Sequence, residues 1–255
     1  MSESSNGAGG LEGRAALVTG ASSGLGRAVA IALAKVGSDV ALFARSESDL
    51  RETEEGISRT GRRALVLPTD LASEAETRGT VDLTLEEFGR VDVLVNAAGT
   101  DAPGSVVDLD VEDWDRTLAV NLRAPFLLSK AAFPHMRRAG HGTIVNVSSV
   151  AGKKGWADAS AYCASKFGLT GFTEALVDEG RVHGIRAIVI YPGAMATNWG
   201  AFSPDERRES EAEEPSRTKV LPPSRVADFI ARFAASPPEF VLTEGIIIPI
   251  GESLP

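Results

Sequence analysis

The chain has 255 residues, of which 43% are hydrophobic, and its formal net charge is −9 at pH 7. This length and apolar content allow one large α/β domain with a substantial core and argue against a disordered chain. The acidic balance argues against nucleic acid as a partner, because a phosphate backbone repels a negative surface.

The chain starts with a polar, glycine-rich segment, MSESSNGAGG, at residues 1–10. It lacks the basic and apolar regions of a secretory signal, so it is predicted to be a flexible tail. No stretch of about 18 apolar residues follows, which argues against a transmembrane span. Cys163 is the single cysteine, so an intrachain disulfide is impossible and a reducing compartment is expected. We therefore predict a cytoplasmic protein with no membrane partner.

Seven short apolar runs alternate with longer helix-like segments over residues 11–255. The runs are rich in Val, Ile and Leu without strict alternation, which is typical of strands buried on both faces of a parallel sheet. Strands are predicted at 15–19, 40–44, 64–68, 91–96, 143–148, 185–190 and 245–250, and helical segments at 24–36, 73–89, 111–139, 160–183 and 223–235. Without a repeat or a linker, this order predicts one doubly wound, Rossmann-like α/β domain with about seven parallel strands and helices on both faces.

A glycine cluster follows the first predicted strand. In TGASSGLG, Gly20, Gly24 and Gly26 have the spacing G-x3-G-x-G and lead into a helix. Glycine lets the backbone turn tightly and approach an anion, and the helix N-terminus offers free N–H groups. By itself the cluster allows a purely structural turn, a methyltransferase-type nucleotide site or the pyrophosphate site of a dinucleotide.

Further motifs occur in a fixed order along the chain. NAAG covers 96–99, Asn121 stands in VNLRAPF, Ser149 in NVSSVAG, and YCASK covers 162–166. YPGAMAT follows at 191–197. Together with TGASSGLG, these motifs resemble those of the classical short-chain dehydrogenase/reductase family, with Ala97 where its N-N-A-G motif has a second asparagine. The resemblance covers nearly the whole chain and implies hydride transfer between a nicotinamide and a carbonyl or secondary alcohol.

The resemblance implies a catalytic set of Asn121, Ser149, Tyr162 and Lys166. Reduction of a ketone creates an alkoxide that needs an acid, and Tyr162 is the candidate. Lys166 follows one helical turn later on the same face, so its charge is expected to lower the pKa of the phenol. Ser149 is expected at the end of a buried strand, where its hydroxyl donates to the substrate oxygen. Asn121 would, by resemblance, hold a water that connects Lys166 to solvent.

The second predicted strand ends at Ala44, followed by Arg45. In NAD-binding relatives an acidic residue at the end of this strand holds the ribose diol, whereas an arginine binds a 2′-phosphate. NADP(H) is therefore favoured, and NAD(H) stays possible if Arg45 is only solvated. The predicted cofactor contacts are Gly20, Ser22, Ser23, Gly24, Leu25, Gly26, Arg45, Asp70, Leu71, Asn96, Ala97, Ala98, Gly99, Tyr162, Lys166, Pro192, Gly193, Met195 and Thr197.

The substrate pocket is less defined. Trp156 lies between Ser149 and Tyr162, and Trp199 and Phe202 follow the YPGAMAT motif, so an apolar wall is predicted, although each aromatic also suits a core or an oligomer contact. A substrate lid is predicted around 194–222. Within it, residues 203–214 carry six acidic and two basic side chains, which also suits a solvated charged helix or loop.

The sequence also allows predictions about metal binding, about Cys163 and about the oligomeric state. His135, His141 and His183 lack metal-ligand spacing, so no metal is expected, and Cys163 is predicted to be a packed thiol. Apolar residues on more than one face of the segment 160–183 favour a homo-oligomer, and the resemblance implies a homotetramer.

The rival hypotheses are a catalytically silent nucleotide-binding regulatory module, which should have lost Tyr162 or Lys166, and an NAD(H)-dependent dehydrogenase. A dehydratase or epimerase ranks lower, because no substantial C-terminal domain for a nucleotide-sugar is evident.

Overall fold

Seven parallel strands form one sheet in the computed structural model, which describes residues 10–197 and 220–251. Their order across the sheet is β3-β2-β1-β4-β5-β6-β7, and every neighbouring pair is parallel. The strands are β1 (Ala15–Thr19), β2 (Asp39–Ala44), β3 (Ala64–Pro68), β4 (Val93–Asn96), β5 (Gly142–Val147), β6 (Ile185–Pro192) and β7 (Glu244–Ile247). The predicted doubly wound parallel sheet is thus confirmed, with shifts at several strand ends.

Within the described residues, seven α-helices connect and cover these strands. They are α1 (Gly24–Lys35), α2 (Glu47–Ser58), α3 (Glu74–Phe88), α4 (Val111–Leu118), α5 (Ala124–Ala139), α6 (Ser160–Arg181) and α7 (Pro223–Ala235). Helix α2 was not among the predicted segments. It buries only Leu50, Thr53 and Ile57, so its apolar stripe is too sparse to stand out in the sequence.

The predicted helical segment 111–139 is not one regular helix. A π-helical turn at Ala119–Arg123 separates α4 from α5. Such a wide turn inserts an extra residue into the helix and occurs frequently at functional sites. Asn121 lies in the middle of this turn.

Each central strand contributes to two separate cores. On one face, Ala16 and Val18 of β1 pack with residues of α1, α2 and α7. On the other face, Leu17 packs with residues of α3, α5 and α6. Because side chains alternate between the two faces, a strand that is covered on both sides must be apolar at every position. This explains the continuous apolar runs in the sequence.

The order of the strands places a crevice between β1 and β4. From β1 the chain winds to β2 and β3 on one side, and from β4 it winds to β5, β6 and β7 on the other. The connections therefore diverge at the carboxyl ends of β1 and β4, which is where such sheets bind ligands. The hydroxyl of Thr19 joins the two ends, accepting hydrogen bonds of 3.0 Å from the N–H groups of Ala97 and Ala98.

None of the helices in the described part of the chain is long and apolar enough to cross a membrane.

Candidate active site

A cavity of about 1000 Å³ lies at the carboxyl ends of the strands. It is lined by the glycine turn after β1, by the ends of β2 and β3, by the loops after β4, β5 and β6, and by residues of α4 and α6. Three members of the predicted catalytic set, Ser149, Tyr162 and Lys166, line it. Every predicted cofactor contact also lines it, with the exception of Asn96.

The three glycines of the turn have different structural roles. Gly20 and Gly24 have positive φ angles of 68° and 51°, which side chains with a Cβ rarely tolerate. A Cβ on Gly20 would lie 2.8 Å from the Cα of Ala98, and a Cβ on Gly26 would lie 2.1 Å from the carbonyl oxygen of Gly20. The glycines therefore let the turn fold back on itself and let it pack against the loop after β4.

This turn ends at the N-terminus of α1, whose first N–H groups lie beside the cavity. Ser23 caps α1 without a hydrogen bond from its side chain to the helix. Unpaired N–H groups and the helix dipole favour an anion at this place. The glycine turn, the helix end and the size of the cavity fit the pyrophosphate of a dinucleotide.

The end of β2 contributes a positive charge to the lining of the cavity. Ala44 is the last residue of β2, so no acid occupies that position, and the exposed Arg45 that follows lines the cavity. Asp70 lies across from it and pairs with Arg116 of α4 at 3.4 Å. Burial acts to raise the pKa of Asp70, but the N–H of Ala72 and the charges of Arg116 and Arg45 outweigh it, so the pKa is lowered.

Ser149 stands two residues beyond the end of β5, not at the end of the strand as predicted. The strand stops at Val147, and Ser149 instead caps a short 3-10 helix at Val150–Gly152, accepting a hydrogen bond of 3.2 Å from the N–H of Ala151. Its side chain also hydrogen-bonds to that of Tyr162. The turn that follows the strand therefore brings Ser149 to the phenol.

Tyr162 lies in the first turn of α6 and is only 7% exposed. Burial raises the pKa of the phenol to about 12, the nearby Asp101 carboxylate adds to this, and the hydrogen bond with Ser149 opposes it. In the structure the pKa of the phenol is thus raised, because its desolvation outweighs the hydrogen bond with Ser149. That Lys166 lowers this pKa stays a prediction.

Lys166 follows Tyr162 by one turn of α6. Its ammonium lies 5.6 Å from the centre of the Tyr162 ring and donates a hydrogen bond of 2.9 Å to the carbonyl of Val147. The side chain is only 3% exposed, and burial lowers the pKa of Lys166 to about 8. The lysine can therefore exchange a proton near neutral pH.

Asn121 does not line the cavity and is fully buried behind it. Its amide accepts a hydrogen bond of 2.8 Å from the N–H of Thr100 and donates one of 2.8 Å to the carbonyl of the same residue. It also donates at 3.0 Å to the hydroxyl of Ser165, next to Lys166 in α6. In the structure Asn121 fixes the loop after β4 against α6, and its water relay stays a prediction.

Asn96 and Trp156 were predicted to contact a ligand, but neither lines the cavity. Asn96 is buried in the sheet and donates a hydrogen bond of 2.7 Å to Asn146 on β5. Trp156 is 49% exposed and does not line the cavity, so its substrate contact stays a prediction. Trp199 and Phe202 lie outside the described residues.

The two ends of the predicted lid meet beside the cavity. The N–H of Ala196 donates to the carbonyl of Leu221 at 2.9 Å, and the N–H of Leu221 donates to Ala194 at 2.8 Å. Ala194, Met195 and Thr197 line the cavity. Residues 198–219, including the charged segment 203–214, lie outside the described residues, so the lid stays a prediction.

Several cavity residues were not predicted from the sequence. Thr100, Asp101 and Ala102 continue the loop after the NAAG motif, and Asp113 and Arg116 come from α4. The position of Asp101 two residues after the NAAG motif was the only signal that pointed to it. Nothing in the amphipathic pattern of α4 distinguishes Arg116 from a solvated arginine.

Cys163, the neighbour of Tyr162, is buried and packs with Ala151 and Ala159, which confirms the predicted packed thiol. Within residues 10–197 and 220–251, no group of three His, Cys, Asp or Glu side chains is placed to bind a metal ion.

Comparison with known proteins gives consistent matches. A family model described as short chain dehydrogenase matches residues 14–208, a range that contains every catalytic candidate. Glycine betaine reductase of Emericella nidulans is 35% identical over 96% of this chain, which spans only 19% of that protein. The (2S)-[(R)-hydroxy(phenyl)methyl]succinyl-CoA dehydrogenase subunit BbsD of Thauera aromatica is 32% identical, over 96% of this chain and 98% of that protein. The crystal structure of a metagenomic short-chain oxidoreductase in complex with NADP has a TM-score of 0.80 and 34% identity, covering 94% of this chain and 99% of that one.

Proposed function

The chain belongs to the short-chain dehydrogenase family, and from this premise we propose that it transfers a hydride between NADP(H) and a carbonyl or secondary alcohol of a small molecule. One observation carries the proposal. Ser149, Tyr162 and Lys166 line the same cavity as the glycine turn and Arg45. An acid–base group and a dinucleotide cradle within one cavity are what this reaction needs.

Tyr162 is the proposed general acid–base. When bound, the nicotinamide supplies or accepts the hydride. During reduction, the phenol of Tyr162 donates its proton to the oxygen of the substrate as negative charge develops there, and Ser149 donates a second hydrogen bond to the same oxygen. With a pKa of about 12, the phenol is protonated at neutral pH, which suits the role of acid in reduction.

Lys166 is proposed to serve the phenol as a source of charge and protons. Below its pKa of about 8 it carries a positive charge 5.6 Å from the Tyr162 ring. As Tyr162 loses its proton in reduction, this charge stabilises the phenolate in a buried site where electrostatic interactions are strong. Asn121, which binds Ser165 beside Lys166, is proposed to complete the proton path to solvent through a water.

NADP(H) is the proposed cofactor because Arg45, not an acid, follows the end of β2. The solved relative in complex with NADP supports the same choice. A guanidinium binds a phosphate with two charge-assisted hydrogen bonds, and an acid at this position would repel it. NAD(H) is the alternative, and the presence of Asp49 in the lining of the cavity keeps it open.

Replacing Arg45 with alanine should weaken NADP(H) binding by about ten- to hundredfold and leave NAD(H) binding nearly unchanged. Ala44→Asp should go further, because it adds repulsion against the phosphate and a partner for the ribose diol. The effect on NADP(H) should shrink at high salt, since Arg45 is exposed and its charge is screened. Fluorescence titration with each cofactor at low and high salt measures all three effects.

Arg51→Ala is the matched control for this experiment. Arg51 is an exposed arginine of α2 that pairs with Glu47 and Glu54 and does not line the cavity, so its loss should change neither affinity. Equal weakening of both cofactors by Arg45→Ala, or a wild type that prefers NAD(H), would contradict the NADP(H) assignment.

The substrate is proposed only as a class. The relatives' names describe a glycine betaine reductase and a dehydrogenase of a succinyl-CoA derivative, which are chemically different substrates. A screen of ketones, aldehydes and secondary alcohols with both cofactors, followed by nicotinamide absorbance, tests the proposal. Turnover would exclude the silent regulatory module, whereas tight cofactor binding without any turnover would favour it.

A homotetramer in the cytoplasm is the proposed state of the protein. Phe126 of α5 and Phe167 of α6 are 44% and 47% exposed, and Phe126 packs edge-on against Phe172. The exposed rings of Phe126 and Phe167 lie on α5 and α6, and exposed apolar side chains of this kind suit a contact between subunits.

The oligomeric state has a direct test. Sedimentation at micromolar concentration should show a tetramer, and the double variant Phe126→Asp, Phe167→Asp should shift it towards smaller species, because two buried carboxylates destabilise an apolar interface. Lys35→Asp, an exposed change on α1, serves as the charge control. A monomeric wild type would contradict the prediction.

A further inference from the structure

The loop after β4 is fixed at two points beside the cavity. At Thr100, both the N–H and the carbonyl hydrogen-bond to the Asn121 side chain at 2.8 Å. At Gly104, the N–H donates to the carbonyl of Asp158 at 2.9 Å, and Gly104 forms a bridge with Ala159 just before α6. The loop is thereby tied both to the π-helical turn and to the start of the helix that carries Tyr162.

Asp158 accepts this bond in an unusual conformation. Its φ angle is 61°, which makes it the one non-glycine residue with positive φ in the described part of the chain. Such a conformation costs free energy and persists only where surrounding contacts impose it. The anchoring of the loop beside Tyr162 is therefore a constrained feature of the fold.

Asp101 lies between these two anchors and lines the cavity. Its carboxylate accepts a hydrogen bond of 2.8 Å from the N–H of Ala102, and it is partly buried. Burial raises the pKa of Asp101, the Ala102 N–H opposes this, and no cation of the described residues contributes. The carboxylate is close enough to Tyr162 to act on the phenol electrostatically. A partly desolvated acceptor thus lies in the lining of the same cavity as Tyr162.

We propose that Asp101 determines substrate specificity by accepting a hydrogen bond from a donor group next to the reacting carbon. The inference rests on the proposed function and adds a substrate class to it. An ionised carboxylate only accepts hydrogen bonds, so it pairs with a hydroxyl or an ammonium group and repels another carboxylate. The preferred substrates are therefore vicinal diols, hydroxyketones or amino alcohols, whereas alcohols that carry a carboxylate beside the reacting carbon are disfavoured.

A matched set of small alcohols tests this class. Butane-2,3-diol, 1-aminopropan-2-ol, butan-2-ol and 3-hydroxybutyrate differ in the group beside the reacting carbon. For wild type, kcat/KM should be highest for the diol or the amino alcohol and lowest for the carboxylate. Asp101→Ala should lower the preference for the diol or the amino alcohol over butan-2-ol, measured as a ratio of kcat/KM values, by about tenfold. This is the lower end of the range for a hydrogen bond to a charged group, because the site is partly exposed. Asp101 also affects the acidity of Tyr162, but this effect is the same for both substrates. It therefore cancels in the ratio of their kcat/KM values.

The Asp101→Asn variant distinguishes the two donors. An asparagine oxygen still accepts a hydrogen bond, so preference for the diol should be largely kept if the natural donor is a hydroxyl. If the donor is an ammonium, the preference for 1-aminopropan-2-ol should fall with the loss of charge. Asp108→Ala is the matched control, because Asp108 is an exposed carboxylate farther along the same connection that bonds Ser105 and does not line the cavity.

Binding without turnover separates this inference from the proposed function. In the Tyr162→Phe background with NADP⁺ added, diol affinity measured by NMR should fall about tenfold on Asp101→Ala, while the affinity for butan-2-ol should stay unchanged. Equal affinity for the two alcohols in that background, or a wild-type preference that survives Asp101→Ala, would overturn the role of Asp101. Failure of wild type to oxidise any alcohol with either cofactor would instead count against the proposed function.

Discussion

Replacing Tyr162 with phenylalanine is expected to lower kcat by about 10²–10⁴-fold, the range for loss of a general acid–base. The ring stays in place, so its packing with Ala151 and Cys163 is kept. Affinity for NADP(H) should remain nearly unchanged, because the hydroxyl that is removed serves the substrate oxygen. Steady-state kinetics and cofactor titration on the same preparation measure both quantities.

Tyr191→Phe is the matched control for this prediction. Tyr191 is the other of the two tyrosines; it lies buried in β6 and does not line the cavity. Losing its hydroxyl should leave kcat close to that of wild type. If Tyr162→Phe kept more than about a tenth of the wild-type kcat, the assignment of Tyr162 as acid–base would be wrong.

Replacing Lys166 with methionine is expected to lower kcat by at least about 100-fold and to weaken NADP(H) binding as well. The ammonium places a positive charge 5.6 Å from the centre of the Tyr162 ring, and by resemblance it also contacts the ribose of the cofactor. A methionine fills a similar volume but carries no charge and no proton. Loss of kcat without loss of cofactor affinity would contradict the ribose contact while preserving the role toward Tyr162.

The same variant has a pH-dependent effect on stability. Burial lowers the pKa of Lys166 from 10.5 to about 8, so between these values the unfolded chain binds more protons than the folded one. Wild-type stability therefore gains from rising pH across this window, and below pH 8 the folded protein bears the cost of a buried charge. From pH 7 to pH 10, the unfolding free energy of wild type should rise relative to Lys166→Met by about 2 kcal/mol.

Urea unfolding of both proteins at pH 7 and pH 10 checks this difference. Comparing the two proteins at each pH cancels the titrating groups that do not interact with Lys166. Lys154→Met, at an exposed lysine outside the cavity, should show no such change with pH. A stability difference between wild type and Lys166→Met that does not vary with pH would mean that Lys166 is not desolvated as the structure indicates.

The sequence by itself determined the architecture and predicted the main residues of the candidate site. A strand covered on both faces must be apolar throughout, so the parallel sheet is visible as continuous Val, Ile and Leu runs. The glycine spacing and the Tyr162–Lys166 pair are also local patterns. The glycines belong to one loop between β1 and α1, and Tyr162 and Lys166 are separated by one turn of α6. Features of this kind depend on residues that are close together in the sequence, so they can be recognised from the sequence alone.

The tertiary structure decided the electrostatics and the partners of those residues. The Tyr162 phenol has a raised pKa because it is buried, and this pKa also depends on groups from the loop after β5, from α6 and from the loop after β4. Asn121 proved to hold Thr100 and Ser165, which lie 21 and 44 residues away in the chain. The loop that carries Asp101 is held by hydrogen bonds to Asn121 and to Asp158, which are also distant in the chain. Burial and contacts between distant segments exist only after the chain has packed, so spacing and composition do not reveal them.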